Sequence, residues 1–380
     1  MGRAVVYDLA SAGQPVLILE SDRAAAERVG RRYGAGRSAA ASADAGDPGA
    51  LAGRLAGTAL VVNCAPYRFN LPVMEAALRA GCHYVDLGGL FHTTRRQLRR
   101  HVDFRRAGLL AVLGMGSAPG IANVLARAAA DPLRRVRSIR VYNGGADSTR
   151  YASPLPFAFS PATVLDEFTL PPMVFTQGRF RSVPPLSGGE DFRFELGTQR
   201  VHFSLHSEVA TLPLTYRRQG IRECAFKIAY DPELIRRLRL LIDLGLTDPR
   251  PGPRGVAPRD VLLDCFRRLP PAPDFVDDRD TLAVVVDGED ARGPVRVRYD
   301  LTARPQRRPP LSAVARDTGF APAIVARMIL DGTIAERGVL PPERCVPAAE
   351  LLAALARRGM RARRRVSRPR RAGPHSRGRS

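Results

Sequence analysis

The residues best suited to moving a proton lie in "VHFSLHSEVATLP", where His206 and Glu208 stand two positions apart. In an extended chain Val201, Phe203 and Leu205 share one face, and His202, Ser204 and His206 the other. An imidazole beside a carboxylate can carry a proton or anchor a cation; a histidine merely satisfied on a strand is the competing reading. Asp86 alternates with Tyr84 in "HYVDLGG", ahead of Gly88 and Gly89, and either meets a ligand or makes a structural hydrogen bond. Lys227 is the sole lysine among 59 basic residues, so it marks either a needed titratable amine or a chance survivor beside Glu223. His83, His92 and His101 lack metal-ligand spacing, and no Gly-x-Ser-x-Gly or Walker sequence occurs, so no metal is expected.

A second set has the types needed to hold a dinucleotide. Such sites place Gly-x-Gly-x-x-Gly between a strand and a helix N-terminus, with an acid about 20 residues on that binds ribose hydroxyls. Gly2 opens the helix-like "GRAVVYDLA", and Glu20 ends the strand-like "VLILE" 18 residues later, with Asp22 just beyond. Gly2 thus matches the third glycine and Glu20 the ribose acid. A carboxylate there repels a 2′-phosphate, which favours NAD over NADP; an exposed acid at a strand end is the plainer alternative. Asn63, Ala65 and Pro66 close "ALVVNCAPY" at the carboxyl edge, where ligands lie in open parallel sheets, while Asn70 reads as a helix cap. In "GMGSAPG", Gly114, Gly116 and Gly120 permit a bend that shapes a nicotinamide pocket or simply turns the chain. The strand and first glycines of this fingerprint do not precede Gly2. Because that strand normally lies between those of "VLILE" and "ALVVNC", Met1 is expected to be internal to a longer natural chain.

The elements that must carry these residues alternate between short apolar runs and helix-period segments over residues 1–135, the pattern of a doubly wound parallel sheet. Expected strands are "VLILE", "ALVVNCAPY", "CHYVDLGG" and "LLAVLG", with a weaker one near "SAAAS". Helices are expected from Ser21 or Asp22 to Tyr33, after the Asp47–Pro48 cap, and from Asn70 to Ala80. Residues 136–308 change character. "SIRVYNGG", "FRFEL", "QRVHFSLHS", "IRECAFKIAY" and the hairpin "LAVVVDGEDARGPVRVRYDL" predict an α+β domain, interrupted by helices near Pro232–Leu244 and Pro258–Leu269. Residues 309–360 carry helices around Pro322–Leu330 and Pro347–Arg358.

With 380 residues, 45% of them apolar, the chain can bury more than one core. The net charge of +22 is uneven: Arg357 to Ser380 holds eleven arginines and no acid. Residues 361–380 therefore read as a basic disordered tail, a solvated extension or a nonspecific polyanion contact, and nucleic acid is otherwise not an expected partner. No apolar run approaches the roughly 20 residues of a membrane span. Five scattered cysteines without Cys-x-x-Cys spacing fit a reducing cytoplasm.

Taken together, "VVNCAPYRFNLPVMEAALRAGCHYVDLGG", "GMGSAPGIANVLARAAAD", "LHSEVATLP", "FKIAYDPE", "ARDTGFAPAIVARMI" and "GVLPPERCV" resemble the saccharopine dehydrogenase family, especially its lysine 6-dehydrogenase-like members. The resemblance runs from Met1 to about Met360; its departure is the missing front of the glycine fingerprint. It implies a Rossmann domain, a substrate and dimerisation domain, and C-terminal helices returning to the Rossmann side. It also implies NAD(P)-dependent chemistry at a carbon–nitrogen bond of an amino-acid substrate, in a homodimer or higher homo-oligomer. Oxidative deamination of the lysine side chain is the expected reaction. Saccharopine or carboxynorspermidine-type reduction, or an inactive cofactor-binding protein, are the alternatives.

Overall fold

A computed structural model describes residues 1–253 and 255–368. The chain starts directly in helix α1 (Gly2–Ser11) and proceeds through β1 (Val16–Glu20), α2 (Arg23–Tyr33), β2 (Ser38–Ser42), α3 (Pro48–Leu55) and β3 (Leu60–Asn63). It continues with α4 (Asn70–Ala80), β4 (His83–Asp86), α5 (Leu90–Leu98), α6 (His101–Arg106), β5 (Leu110–Val112) and α7 (Ile121–Ala130). Local chemistry sets the helix starts. Asp22 accepts from Ala24 N to cap α2, and Asp47 accepts from Gly49 N and Ala50 N ahead of Pro48 at the first turn of α3.

All pairings among these strands are parallel, as expected of a doubly wound sheet, but they fall into two pieces. β1 pairs with β2, and β3 with β4 and β5. Ile18 and Leu60 pack on one core cluster, while Leu19 and Val61 pack on the other. The two pieces therefore lie as one layer between the same two core clusters, and among the described strands β1 and β3 each pair along one edge only.

The second sheet begins with β6 (Arg135–Asp147), followed by α8 (Pro161–Thr169), β7 (Met173–Thr176), β8 (Arg179–Ser182), β9 (Glu190–Phe194) and β10 (Gly197–Phe203). Then come α9 (Glu208–Thr215), β11 (Glu223–Ile228), α10 (Pro232–Asp243), α11 (Pro258–Arg267), and the long hairpin β12 (Asp278–Asp290) and β13 (Gly293–Ala303). The chain closes with α12 (Ala313–Leu330), β14 (Gly338–Leu340), α13 (Pro342–Cys345), α14 (Ala348–Arg357) and β15 (Arg363–Ser367). Period-2 alternation is visible in β12, where Leu282, Val284 and Val286 enter the large core and Ala283 and Val285 a smaller one on the opposite face.

Five features differ from the sequence expectations. α12 starts nine residues before Pro322 and runs through it, because its flank is fixed by close packing: a Cβ on Gly319 would lie 2.6 Å from Ala4 Cβ of α1. α8 lies in a stretch where no element was expected. "SEVATLP" forms α9 rather than continuing a strand, and β14 adds to β5 at the edge of the front sheet. Finally, Arg363–Ser367 is not disordered: it adds antiparallel to β13, and Arg363 pairs with Glu195 at 3.1 Å. The rest of the expected tail, 369–380, lies outside the described residues.

Candidate active site

A cavity of about 1190 Å³ opens between the carboxyl edge of the parallel sheet and the second sheet. The front wall consists of Met1, the loop Cys64–Tyr67 after β3, Leu87 and Gly88 after β4, and Ser117–Pro119 after β5. Loops after successive parallel strands converge here because the strands run the same way, which is where such sheets bind ligands. The first turn of α1 has no side-chain cap, so its electropositive end meets this wall. Gly2 packs behind it, where an added Cβ would make ordinary contact with Cys64 Cβ at 3.5 Å. An uncapped helix end beside three carboxyl-edge loops fits a dinucleotide.

His206 stands on the facing wall, in the short link between β10 and α9. Its Nδ1 lies 2.9 Å from Oε2 of Glu208, the first residue of α9, and its Nε2 lies 3.9 Å from Oε1 of Glu167 on α8. The ring stacks on Phe226 of β11 at 3.8 Å between centroids. Burial opposes charge on His206, yet the carboxylates of Glu208 and then Glu167 hold its pKa above the ordinary imidazole value. Glu167 is buried and accepts from the hydroxyls of Tyr230 and Ser204, the latter at 3.4 Å. Burial pushes its carboxyl up despite His206 and these donors. The second oxygen of Glu208, Oε1, is buried without a hydrogen-bond partner among the described residues. Because Glu208 occupies Nδ1, Nε2 is the nitrogen left for a ligand.

The other sequence candidates take different places. Asp86 is fully buried and does not line the cavity. It accepts from Tyr84 Oη (2.9 Å), Gln97 Nε2 (2.6 Å), Gly88 N (2.9 Å) and Gly114 N (2.6 Å). Four donors saturate a carboxylate, so the structural reading of Asp86 replaces the catalytic one. Lys227 also lies off the cavity: its Nζ pairs with Glu190 at 2.8 Å, donates to Gly188 O at 2.6 Å and sits over the Phe203 ring. It pins the β9–β10 hairpin and is removed from the catalytic set.

Asn63 is buried beneath the loop it shapes, accepting from Ala65 N at 3.1 Å and donating to Asn70 Oδ1 at 2.9 Å; only Ala65 and Pro66 face the cavity. Gly114 and Gly116 lie behind Ser117–Pro119 and permit its bend. Gly114 has φ +67°, and a Cβ there would lie 2.8 Å from Pro119 Cγ. Glu20 and Asp22 are exposed at the carboxyl end of β1; Glu20 accepts from Ser21 N at 2.9 Å, and Asp22 is committed to its cap.

Glu167 and Tyr230 escaped the sequence reading. Tyr230 lies inside the quoted "FKIAYDPE", three residues past Lys227, and its hydroxyl is the more informative group. Glu167 sits in "VLDEF", whose helical pattern was the only available signal.

The two family descriptions that match are "Saccharopine dehydrogenase NADP binding domain" over residues 1–112 and "Saccharopine dehydrogenase C-terminal domain" over residues 116–360. The fold is similar to that of apo saccharopine dehydrogenase (L-Glu forming) from Saccharomyces cerevisiae, with a TM-score of 0.74 and 18% identity, covering 97% of this chain and 98% of that one. Carboxynorspermidine synthases of Vibrio alginolyticus and Vibrio cholerae are 25% and 26% identical over 206 residues, 50% of this chain. That match spans about half the length of those curated relatives, 48% in each case. A parallel-sheet dinucleotide domain, a second sheet domain and a cleft between them, matched almost end to end by both descriptions, make this chain a member of the saccharopine dehydrogenase family of oxidoreductases.

Proposed function

We propose that this chain oxidises a primary side-chain amine of a basic amino acid, with lysine the preferred candidate and NAD the preferred coenzyme. The observation that carries the reading is His206, open to the cavity and held between two buried carboxylates. A bound nicotinamide coenzyme would supply the hydride acceptor for the amine carbon. The α1 N-terminus and the loops Cys64–Tyr67 and Ser117–Pro119 would hold it. Glu20, at the end of β1, favours a free ribose over a 2′-phosphate, although the family description names NADP.

An ammonium nitrogen has no lone pair, so it must lose a proton before its carbon can give up hydride. Neutral His206 accepts that proton at Nε2, and Glu208, on Nδ1, stabilises the imidazolium that results. Glu167 balances the same charge from the other side and favours a cationic substrate over an anionic one. The nitrogen lone pair then forms the C=N bond as hydride departs, and water hydrolyses the iminium to an aldehyde and ammonium. As in the sequence expectation, we assign a homodimer or higher homo-oligomer, testable by light scattering.

A second reading, reductive joining of an aldehyde and an amine, draws support from Arg200, Arg237 and Arg279 on the cavity wall, which suit extra carboxylates, and from the names of the Vibrio relatives. Initial rates with NAD and NADP on lysine, saccharopine and carboxynorspermidine separate the two. Turnover of lysine, lost about 100-fold or more in His206→Asn, supports the first reading. Turnover of only a secondary amine replaces it with the second, and no turnover of any amine removes both.

A further inference from the structure

Tyr67 is the last residue of the cavity-lining Cys64–Tyr67 loop and starts the turn Tyr67–Phe69. Its hydroxyl leaves the front domain and donates to Oδ2 of Asp166 on α8 at 2.8 Å. The other oxygen, Oδ1, accepts from Arg259 of α11 at 2.6 Å, and the same guanidinium nitrogen donates to Ala162 O at 2.9 Å. Asp166 and Arg259 keep only 12% and 14% of their side chains exposed, so solvent screens this pairing little. Burial, then the bond to Asp166, pushes the Tyr67 phenol well up, so it stays a donor.

The residue after Asp166 is Glu167. Successive helical positions point about 100° apart, so one short helix offers Asp166 to Tyr67 and Glu167 to the His206 pocket on adjoining faces. α8 has nine residues, is capped by Ser160 and packs its apolar side, through Val164, Leu165 and Phe168, into a core cluster it shares with α10 and α11. A rigid element this short turns as a unit. A shift of the Cys64–Tyr67 loop would act on Asp166 through one hydrogen bond, and any resulting turn of the helix backbone would carry Glu167 with it.

We propose that Tyr67 and Asp166 are positioning residues that couple the coenzyme-side loop to the placement of Glu167 against His206. The proposal rests on the assignment of His206 and Glu167 as the proton-handling groups. Its readout does not require turnover: with six histidines in the chain, selective imidazole labelling lets the titration of His206 be followed directly by NMR. The charged or titratable groups facing His206 are Glu208 from α9 and Glu167 from α8, with Tyr230 and Ser204 on the far side of Glu167.

In the wild-type full chain, saturating NAD should displace the His206 midpoint by about half a pH unit or more, as Glu167 moves relative to the ring. Tyr67→Phe, titrated with NAD until its own binding saturates, should abolish the displacement. Asp166→Asn should do the same, and Asp166→Glu should restore part of it. In a Glu167→Gln background, Tyr67→Phe should have no further effect. An equal displacement in wild type and Tyr67→Phe, or none in wild type, overturns the coupling. Loss of melting temperature in Tyr67→Phe with the displacement retained also overturns it, leaving a purely structural bond. Absence of amine oxidation with the displacement intact would instead remove the assigned reaction and leave the coupling standing.

Discussion

His206 and Glu208 are separated by a single residue, yet their side chains meet at 2.9 Å because β10 ends at Phe203 and α9 starts at Glu208. In a continuous strand both would point to the same face about two residues' rise apart. The change from strand to helix folds the carboxylate back under the ring and buries it completely.

The pair makes the reaction pH-dependent with a defined sign. His206 has a raised pKa in the folded protein, so its neutral, proton-accepting form appears only above that value. Amine oxidation should therefore rise with pH through the raised midpoint, and the reverse reaction should fall. Glu208→Gln removes the nearer negative charge, and the rising limb should move to lower pH by about one unit. The stability that the charged His206 contributes is fully present below about pH 6.5 and lost as pH rises through the folded midpoint, so the variant should lose stability mainly in acid. A pH–rate profile and melts at two pH values check both; an unmoved limb would contradict the assignment.

Asp280 of β12 and Asp317 of α12 are interacting neighbours, with Asn143 donating to Asp280 at 3.1 Å and Ser117 donating to Asp317 at 3.1 Å. Burial, and for Asp317 its neighbour's charge, raise both carboxyls. An acid with a raised folded pKa costs stability as pH climbs from about 3.9 toward the folded value. Asp317→Asn, whose amide can donate to Asp280, should raise stability by about 1 kcal/mol at pH 8 and shift little at pH 4. Denaturant titrations at the two pH values measure this.

Glycine substitutions should separate crowded from open turns. A Cβ on Gly120, where φ is +122°, would lie 2.2 Å from Gly116 O and 2.5 Å from Gly116 N. Gly108, at φ +69°, has nothing within 4 Å. Gly120→Ala should cost about 4 kcal/mol or more and disrupt the Ser117–Pro119 wall, whereas Gly108→Ala should cost about 1 kcal/mol, the price of its backbone angle alone. Equal losses in chemical denaturation would show that backbone angle, not crowding, dominates.

Asp8 of α1 accepts from Arg358 Nη2 at 2.9 Å and from its Nε, tying the first helix to the end of α14. The side chains are 8% and 18% exposed. Asp8→Ala strands a largely buried guanidinium and should destabilise by about 3 kcal/mol, and Arg358→Met should cost a similar amount because it strands the Asp8 carboxylate in turn. A double-mutant cycle by denaturant melts tests the pairing.

Much of this architecture was legible in the residues. Alternation exposed the hairpin β12–β13, and the Asp–Pro start located α3, because strand and cap signals are local; Asn70 does begin α4, but as its first residue and not its cap, with its side chain bonded to Asn63 and Gly88 O. What local signals could not carry was tertiary. Pro322 reads as a helix start until close contact with α1 holds the helix through it. Lys227 and Asp86 drew attention as uncommon or well-placed types, but which way each side chain turned depended on partners far along the chain, Glu190 for one and Gln97 for the other. Glu167 had no signal of its own, because its meaning comes from a histidine 39 positions later.

The open seam between β1 and β3 has a consequence for how the molecule behaves in solution. Among the described strands β1 and β3 each pair along one edge only, and Leu17 of β1 is 43% exposed. That is a receptor for one more extended polypeptide, in cis or from a neighbour. A strand added there would join the two pieces into one continuous sheet beneath the cavity.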